Sequence, residues 1–301
     1  MDQPSSSGRD QALSFAAVAD AYDRARPSYP IEAVEWLAGK AAATVVELGA
    51  GTGKLTDRLL QLRHDVLATD PLDEMLDHLR RRHPDLRVVR SAAETIPAAT
   101  RSVDTVVAAQ SFHWFDHGPA LREAARVLKP EGRIALVWNQ RDERIPWVRK
   151  LGRLLGSQDQ DISNIDPTEI LVASKLFGYV QEATFRHWQP LRRAELRDLA
   201  LSRSNVAVMD PMAQERLLRK VDELFDQYDS GPDGLLLPYL ARCYRAVVRP
   251  RGLIEEPEHS ADLTAAAEAV RQAGSQGPGA PQEEQPTPPA HDPATTLIDF
   301  R

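Results

Sequence analysis

Val45-Val46-Glu47-Leu48-Gly49-Ala50-Gly51-Thr52-Gly53-Lys54-Leu55-Thr56 is the stretch that decides the fold. Two β-branched residues, an acid and a leucine lead into glycines at every second position, and a helix-compatible run from Lys54 to Leu62 follows at once. An apolar strand that ends in a glycine turn and enters a helix is a unit of a buried parallel sheet. Glycine lets the backbone take positive φ and approach a ligand closely, and the helix N-terminus that follows favours binding there. Three ligands suit such a turn: a nucleoside triphosphate, a dinucleotide or S-adenosylmethionine.

Outward from this turn, residues 44–139 alternate strand and helix patterns. Thr44–Leu48, Asp65–Thr69, Leu86–Arg90, Val103–Ala109 and Arg133–Trp138 read as strands. Gly53–Leu62, Leu72 to about Arg82 and Pro119–Leu128 read as helices. That order predicts a parallel sheet with helices on both faces. Upstream, residues 1–12 are polar and read as disordered, and helical patterns run from Leu13 through Tyr22 and from Ile31 to Gly39. Downstream, helical segments at 146–156, 167–176, 193–205 and 211–228 surround a strand-like run from Tyr179 to Pro190. Gly231-Pro232-Asp233-Gly234 signals a turn, and Leu235–Val248 reads as a last strand. The expected organisation is cap helices over 13–43, a core over 44–140, and a lid insertion with the last strands over 141–249. From Pro250 the composition becomes rich in Pro, Gly, Gln, Glu and Ala, so 250–301 reads as a disordered, acidic tail.

Composition narrows the function classes. The 301 residues are 42% hydrophobic and 27% charged, which suits a soluble globular protein. No apolar run is long enough to span a bilayer, and no secretory signal is visible, so the expected setting is the cytoplasm. One cysteine, Cys243, excludes an internal disulfide and a multi-cysteine zinc site. The net charge of −7 sits mostly in the tail: from Arg251 onward nine acids face three bases, which leaves residues 1–250 at −1. The folded part has no bulk basic field for nucleic acid. The expected partner is a small molecule, with no membrane, nucleic acid or metal.

The residues themselves sort the ligands. A P-loop needs a glycine five positions before Gly53 and a hydroxyl after Lys54, but Leu48 and Leu55 stand there. The dinucleotide fingerprint needs G-x-G-x-x-G, whereas Gly49, Gly51 and Gly53 are spaced G-x-G-x-G with Thr56 where the third glycine would fall. Glu47 before the first glycine suits an ammonium group and repels a pyrophosphate. Asp70, about twenty residues on, suits a ribose diol in either remaining case, so it marks an adenosine-type ligand without choosing between them.

Four motifs then occur in order. They are Glu47-Leu48-Gly49-Ala50-Gly51-Thr52-Gly53, Thr69-Asp70-Pro71, Ser91-Ala92-Ala93-Glu94 and Leu128-Lys129-Pro130-Glu131-Gly132-Arg133. Together they resemble the class I S-adenosylmethionine-dependent methyltransferases, and the resemblance covers roughly residues 15–249. Tyr22-Asp23-Arg24-Ala25-Arg26-Pro27-Ser28-Tyr29-Pro30, Gln110-Ser111-Phe112-His113-Trp114-Phe115-Asp116, Ser202-Arg203-Ser204, Leu237-Pro238-Tyr239 and Tyr244-Arg245 are similar to the small-molecule branch that includes trans-aconitate methyltransferase-like enzymes. The resemblance implies an α/β, Rossmann-like fold with a mostly parallel seven-stranded sheet, N-terminal cap helices and a helical lid. It implies S-adenosylmethionine as cofactor, with Gly49, Gly51 and Gly53 forming the turn against its methionine part and Glu47 supporting that part. Asp70 would take the ribose hydroxyls, Leu72 the adenine face, Ala93 and Glu94 the adenine edge, and Gln110 would sit near the methyl.

Methyl transfer from a sulfonium is an in-line displacement, so the protein mainly aligns nucleophile, methyl and sulfur. A carboxylate acceptor is already ionised and needs a cationic clamp, whereas a phenol or acidic carbon needs a base. His113 is the first base candidate, followed by His117 and His187. Arg203 is the first clamp candidate, with Arg141 and Arg26 next, because guanidinium pairs bidentately with carboxylate. Tyr22, Tyr29 and Trp114 complete the expected substrate wall. The acceptor class expected is a small carboxylic acid, with a phenol-type oxygen or a carbon as the alternative. A nicotinamide oxidoreductase or a non-catalytic binding protein is the rival from another class.

Overall fold

The computed structural model describes residues 26–156, 166–228, 231 and 234–250. The expected first helix with Tyr22, the polar N-terminus and the tail beyond Pro250 lie outside the described residues. Helix α1 (Ile31–Ala38) precedes strand β1 (Thr44–Leu48). Then come α2 (Lys54–Gln61), β2 (Asp65–Asp70), α3 (Asp73–Arg82), β3 (Arg87–Arg90), β4 (Val103–Ala109), a short 3-10 turn (Phe112–Trp114), α4 (His117–Val127) and β5 (Leu128–Arg141). The remaining elements are α5 (Pro146–Leu155), α6 (Pro167–Ala173), β6 (Gln181–Leu191), α7 (Arg193–Leu201), α8 (Ser204–Ala207), α9 (Pro211–Tyr228) and β7 (Leu235–Val247).

The seven strands form one sheet in the order β3-β2-β1-β4-β5-β7-β6. The first five are parallel, and β7 runs antiparallel to both β5 and β6. Alternation along the strands divides the core. Val46, Leu48, Val106, Ala108, Ile134 and Leu136 face α4, together with Phe112 and Leu171. Val45, Val107, Ala135 and Val137 face α1 and α2 through Ala33, Val34, Leu37, Leu55 and Leu59. Both faces are covered, which is why these strands read as unbroken apolar runs.

The insertion differs from expectation in one respect: it is not a single lid. Helix α6 and Phe177 pack into the core on the α4 face, and β6 completes the sheet, because Gln181–Leu191 pairs with β7 throughout. A second cluster gathers only α5, α7 and α9, around Leu191, Leu235, Leu237 and Tyr239. Strand β5 also begins earlier than its apolar run. Leu128 pairs with Val103 before a register shift, and Glu131 turns at φ +66° to let Lys129-Pro130-Glu131-Gly132 fold back into the sheet. The expected helix at 193–205 is broken at Ser202 and Arg203 into α7 and α8.

Candidate active site

Ligands of open α/β sheets lie outside the carboxyl ends of the strands where the strand order reverses. Here that point is between β1 and β4, and a cavity of about 480 Å³ opens there. Its walls come from the turn after β1, the end of β2 with Pro71, Leu72 and Met75, the loop Ser91–Glu94, the end of β4 through Phe115, and Arg26, Pro27 and Tyr29 ahead of α1.

The glycine turn is built by conformation and by clearance. Gly49, Gly51 and Gly53 all have positive φ (70°, 55° and 90°). A side chain on Gly49 would put its Cβ 2.5 Å from the Cβ of Ser111, whose hydroxyl donates to the Leu48 carbonyl at 2.7 Å. At Gly51 the space beside the Cα is open to the cavity. Gly53 does not line the cavity; a Cβ there would meet Leu79 of α3 at 2.3 Å, so its place is helix packing at the start of α2.

Two acids flank the turn. Glu47 is 1% exposed, and the Thr56 hydroxyl donates to its Oε2 at 2.6 Å. Burial raises its pKa from 4.5 to about 8 against that hydrogen bond, with Asp57 and Asp70 adding to the rise. Asp70 is buried at the end of β2, where its two oxygens accept from the Gly51 and Leu72 amides, each at 2.9 Å. Burial pushes its pKa up, and the two amides oppose the rise. Thr56, noted in the sequence only as a missing glycine, is thus the residue that holds Glu47.

Leu72 is half exposed on the cavity rim, and Ala93 is buried in its wall. The Glu94 carboxylate accepts from the Asp116 amide at 2.8 Å and so joins the Ser91–Glu94 loop to the segment carrying Trp114. Trp114 stands at the mouth, 80% exposed. Gln110 turns at φ +56° at the end of β4, a left-handed geometry that non-glycine residues adopt at a cost and that concentrates at functional sites. Its Nε2 donates to the Asn139 carbonyl at 3.1 Å.

Three histidines were base candidates. His113 is not part of the cavity wall; its ring lies 4.9 Å from that of Trp114 on the 3-10 turn. His117 stacks on Phe112 at 4.5 Å, and its Nε2 is 3.1 Å from the Phe112 carbonyl, so it braces the turn. His187 lies elsewhere, on β6. It stacks on Tyr239 at 5.5 Å, and its Nε2 is 2.9 Å from Asn139 Oδ1. Burial, and then the Arg58 charge, lower its pKa to about 4, so it is neutral at pH 7.

The clamp candidates converge. Arg141, Tyr239 and His187 are direct cross-strand partners on β5, β7 and β6, so their side chains share one face. Burial raises the Tyr239 pKa to about 12, while the positive charges of Arg141, Arg26 and Arg203 act in the opposite direction. Those three arginines come from the end of β5, the segment before α1, and the residue preceding α8. Arg26 also lines the large cavity, which links it to this charged corner. Sequence reading missed Asn139, whose Nδ2 donates to the Ser28 carbonyl at 3.1 Å and ties the segment before α1 to the sheet. The polar run Trp138-Asn139-Gln140-Arg141 after an apolar strand was its only signal.

A 3-2-1-4-5-7-6 sheet with an antiparallel seventh strand, joined to an acid-flanked glycine turn, defines the class I methyltransferase fold. Residues 46–136 match the family described as a methyltransferase domain. The chain is 41% identical over 244 residues to an uncharacterized methyltransferase of Mycobacterium tuberculosis, covering 80% of this chain and 98% of that protein. It is 36% identical over 214 residues to an uncharacterized methyltransferase-like protein of Schizosaccharomyces pombe, covering 69% and 83% respectively. A solved structure of a candidate methyltransferase from an antibiotic biosynthesis pathway of Anabaena variabilis aligns with a TM-score of 0.51 at 20% identity, over 72% of this chain and 95% of that one. At that identity the likeness is one of fold. The chain belongs to the class I S-adenosylmethionine-dependent methyltransferases. No helix among the described residues is long and apolar enough to cross a membrane.

Proposed function

We propose that the cavity beside the glycine turn holds S-adenosylmethionine and that the protein transfers its methyl group to a small molecule, with a carboxylic acid as the favoured acceptor. One observation carries the reading: two buried carboxylates, Glu47 and Asp70, flank a turn whose Gly51 leaves open space toward the cavity. The donor set fits the cofactor in chemistry. Glu47 is a buried acid with a single hydroxyl donor, which an ammonium group would complete. Asp70 keeps acceptor capacity beyond its two amides for a ribose diol. Leu72 would cover the adenine, Ala93 and Glu94 would read its edge, and Gln110 would lie beside the methyl. The cofactor supplies an electrophilic methyl on a sulfonium; the chain supplies alignment and exclusion of water, with Tyr29 and Trp114 over the cleft.

Favour for an acid rests on the gathering of Arg26, Arg141 and Arg203 around Tyr239, with Arg203 the first clamp candidate. The placement of two histidines agrees: His113 and His117 lie at the 3-10 turn, and a carboxylate needs no proton removed. His187, neutral beside Asn139, is the group that would serve the second reading, a phenol-type oxygen or a carbon acid. A turnover screen that follows S-adenosylhomocysteine release against panels of acids, phenols and quinones separates the two. Release with acids supports the first reading, and release with phenols or quinones alone would replace it.

A further inference from the structure

The Arg141 guanidinium is buried at the carboxyl end of β5. Its side chain is 2% exposed, and its Nε and Nη2 have no hydrogen-bond partner. Its nearest acid is Glu143, at 3.7 Å from Nη2, which balances charge without making a hydrogen bond. A buried guanidinium left this way is costly unless an anion completes it. Nε–H and one Nη2–H lie in the guanidinium plane along one edge, and that edge donates two parallel hydrogen bonds to a planar carboxylate.

The corner is built to keep that edge in place. Gly152, inside α5, has no side chain where the Glu143 carboxylate lies; a Cβ there would be 2.2 Å from Oε1. Glycine within a helix is unfavourable relative to alanine. Asp142 donates its amide to the Pro238 carbonyl at 2.9 Å and takes Arg144 in two contacts of 2.6 Å, which fixes the chain on either side of Arg141. Tyr239 and His187 continue the row beside it.

We propose that Arg141 holds a carboxylate of the acceptor that is not the group methylated, so that the acceptor carries an anionic anchor and a separate nucleophile. This rests on the methyltransferase reading of the adjoining cavity. The distance argues for two groups. The Gln110 amide bonds to Val137 on β5, and Arg141 lies four residues further, about 13 Å along the strand at 3.3 Å per residue. Aliphatic or aromatic molecules with one carboxylate at the anchor and a second carboxylate, or a hydroxyl, at the other end meet both conditions.

The test is calorimetry on the full chain loaded with S-adenosylhomocysteine and titrated with malonate, succinate, glutarate and adipate, with glutaramide and inorganic phosphate alongside. At least one diacid is expected to bind, with the uncharged diamide weaker by roughly tenfold or more. Arg141→Met is expected to lose diacid binding by a similar factor while keeping S-adenosylhomocysteine affinity, which also reports that the variant is folded. Glu143→Gln is expected to bind diacids as well as or better than the parent, because the acid only balances charge. Unchanged diacid binding by Arg141→Met, loss of diacid binding in Glu143→Gln, or binding of phosphate but no diacid would overturn the anchor. No diacid binding beside bound S-adenosylhomocysteine would overturn it too, and leave the methyltransferase reading standing. Failure of S-adenosylhomocysteine itself to bind would overturn both.

Discussion

At the carboxyl ends of β1 and β2 the buried titratable groups are acids, and each has a donor: Glu47 has Thr56, and Asp70 has the Gly51 and Leu72 amides. At the carboxyl end of β5 the buried charge is a base, Arg141, whose Nε and Nη2 meet no acceptor within hydrogen-bonding distance. The acid end is thus complete enough to fold around and needs its ligand to turn partial satisfaction into full satisfaction. The basic end holds an open valence. Arg26 is the one of the three arginines that also lines the cavity of Glu47 and Asp70, and under the proposed function it would lie between the cofactor and an anionic acceptor.

Substitutions sharpen this contrast in decreasing order of effect. Asp70→Ala removes the proposed acceptor for the ribose hydroxyls and is expected to weaken S-adenosylhomocysteine binding by at least about 100-fold in calorimetry. Equal affinity would detach the acid end from the cofactor. Gly49→Ala forces positive φ on a residue with a side chain and drives its Cβ into Ser111. A cost of order 1–3 kcal/mol is expected, read as a lower melting temperature with binding lost in parallel.

Glu47 offers a pH test. Its folded pKa of about 8 lies above the ordinary 4.5, so between these values the folded chain holds a proton that the unfolded chain has released. Stability from this group is therefore full below pH 4.5 and falls as pH rises toward 8. Glu47→Gln is expected to flatten that fall and raise the melting temperature of the ligand-free protein near pH 8, while cofactor affinity drops. An ammonium group beside Glu47 favours its ionised form, so cofactor binding near pH 7 is expected to release a proton, seen as a binding heat that varies with the buffer's ionisation enthalpy. A wild-type stability profile parallel to that of the variant would show that Glu47 titrates normally.

The smallest effects separate wall from scaffold. Trp114→Ala, at the exposed mouth, is expected to raise the acceptor KM by less than about tenfold with S-adenosylhomocysteine affinity unchanged. His113→Ala is expected to alter kcat by no more than about threefold, because the ring is outside the cavity wall. A loss of a hundredfold or more would restore it as a base.

The two ends also differ in how far the sequence exposes them. Glycine punctuation, alternation of apolar strands with helices, and motif order made β1 through β5 and the residues around Glu47, Asp70 and Glu94 readable, because local geometry there dictates residue type. Strand β7 was readable from its aromatic run, but its antiparallel pairing between β5 and β6 depends on long-range contacts that no local pattern carries. At the basic end, Arg26, Arg141 and Arg203 could be chosen by chemistry alone. That Arg141 stands beside Tyr239 required the register Arg141–Tyr239–His187 across three strands. Asn139 escaped notice for the same reason, since its partners Ser28 and His187 are far away in the chain. Gly53 shows the converse: a motif glycine whose local signal is right and whose neighbour, Leu79, gives it a packing task.

Calorimetric titration of the full-length protein with S-adenosylmethionine, S-adenosylhomocysteine and NAD side by side tests the central claim most directly. Saturable one-site binding of both sulfur ligands with no heat from NAD is the expected result. Binding of NAD with none of the sulfur ligands would contradict it.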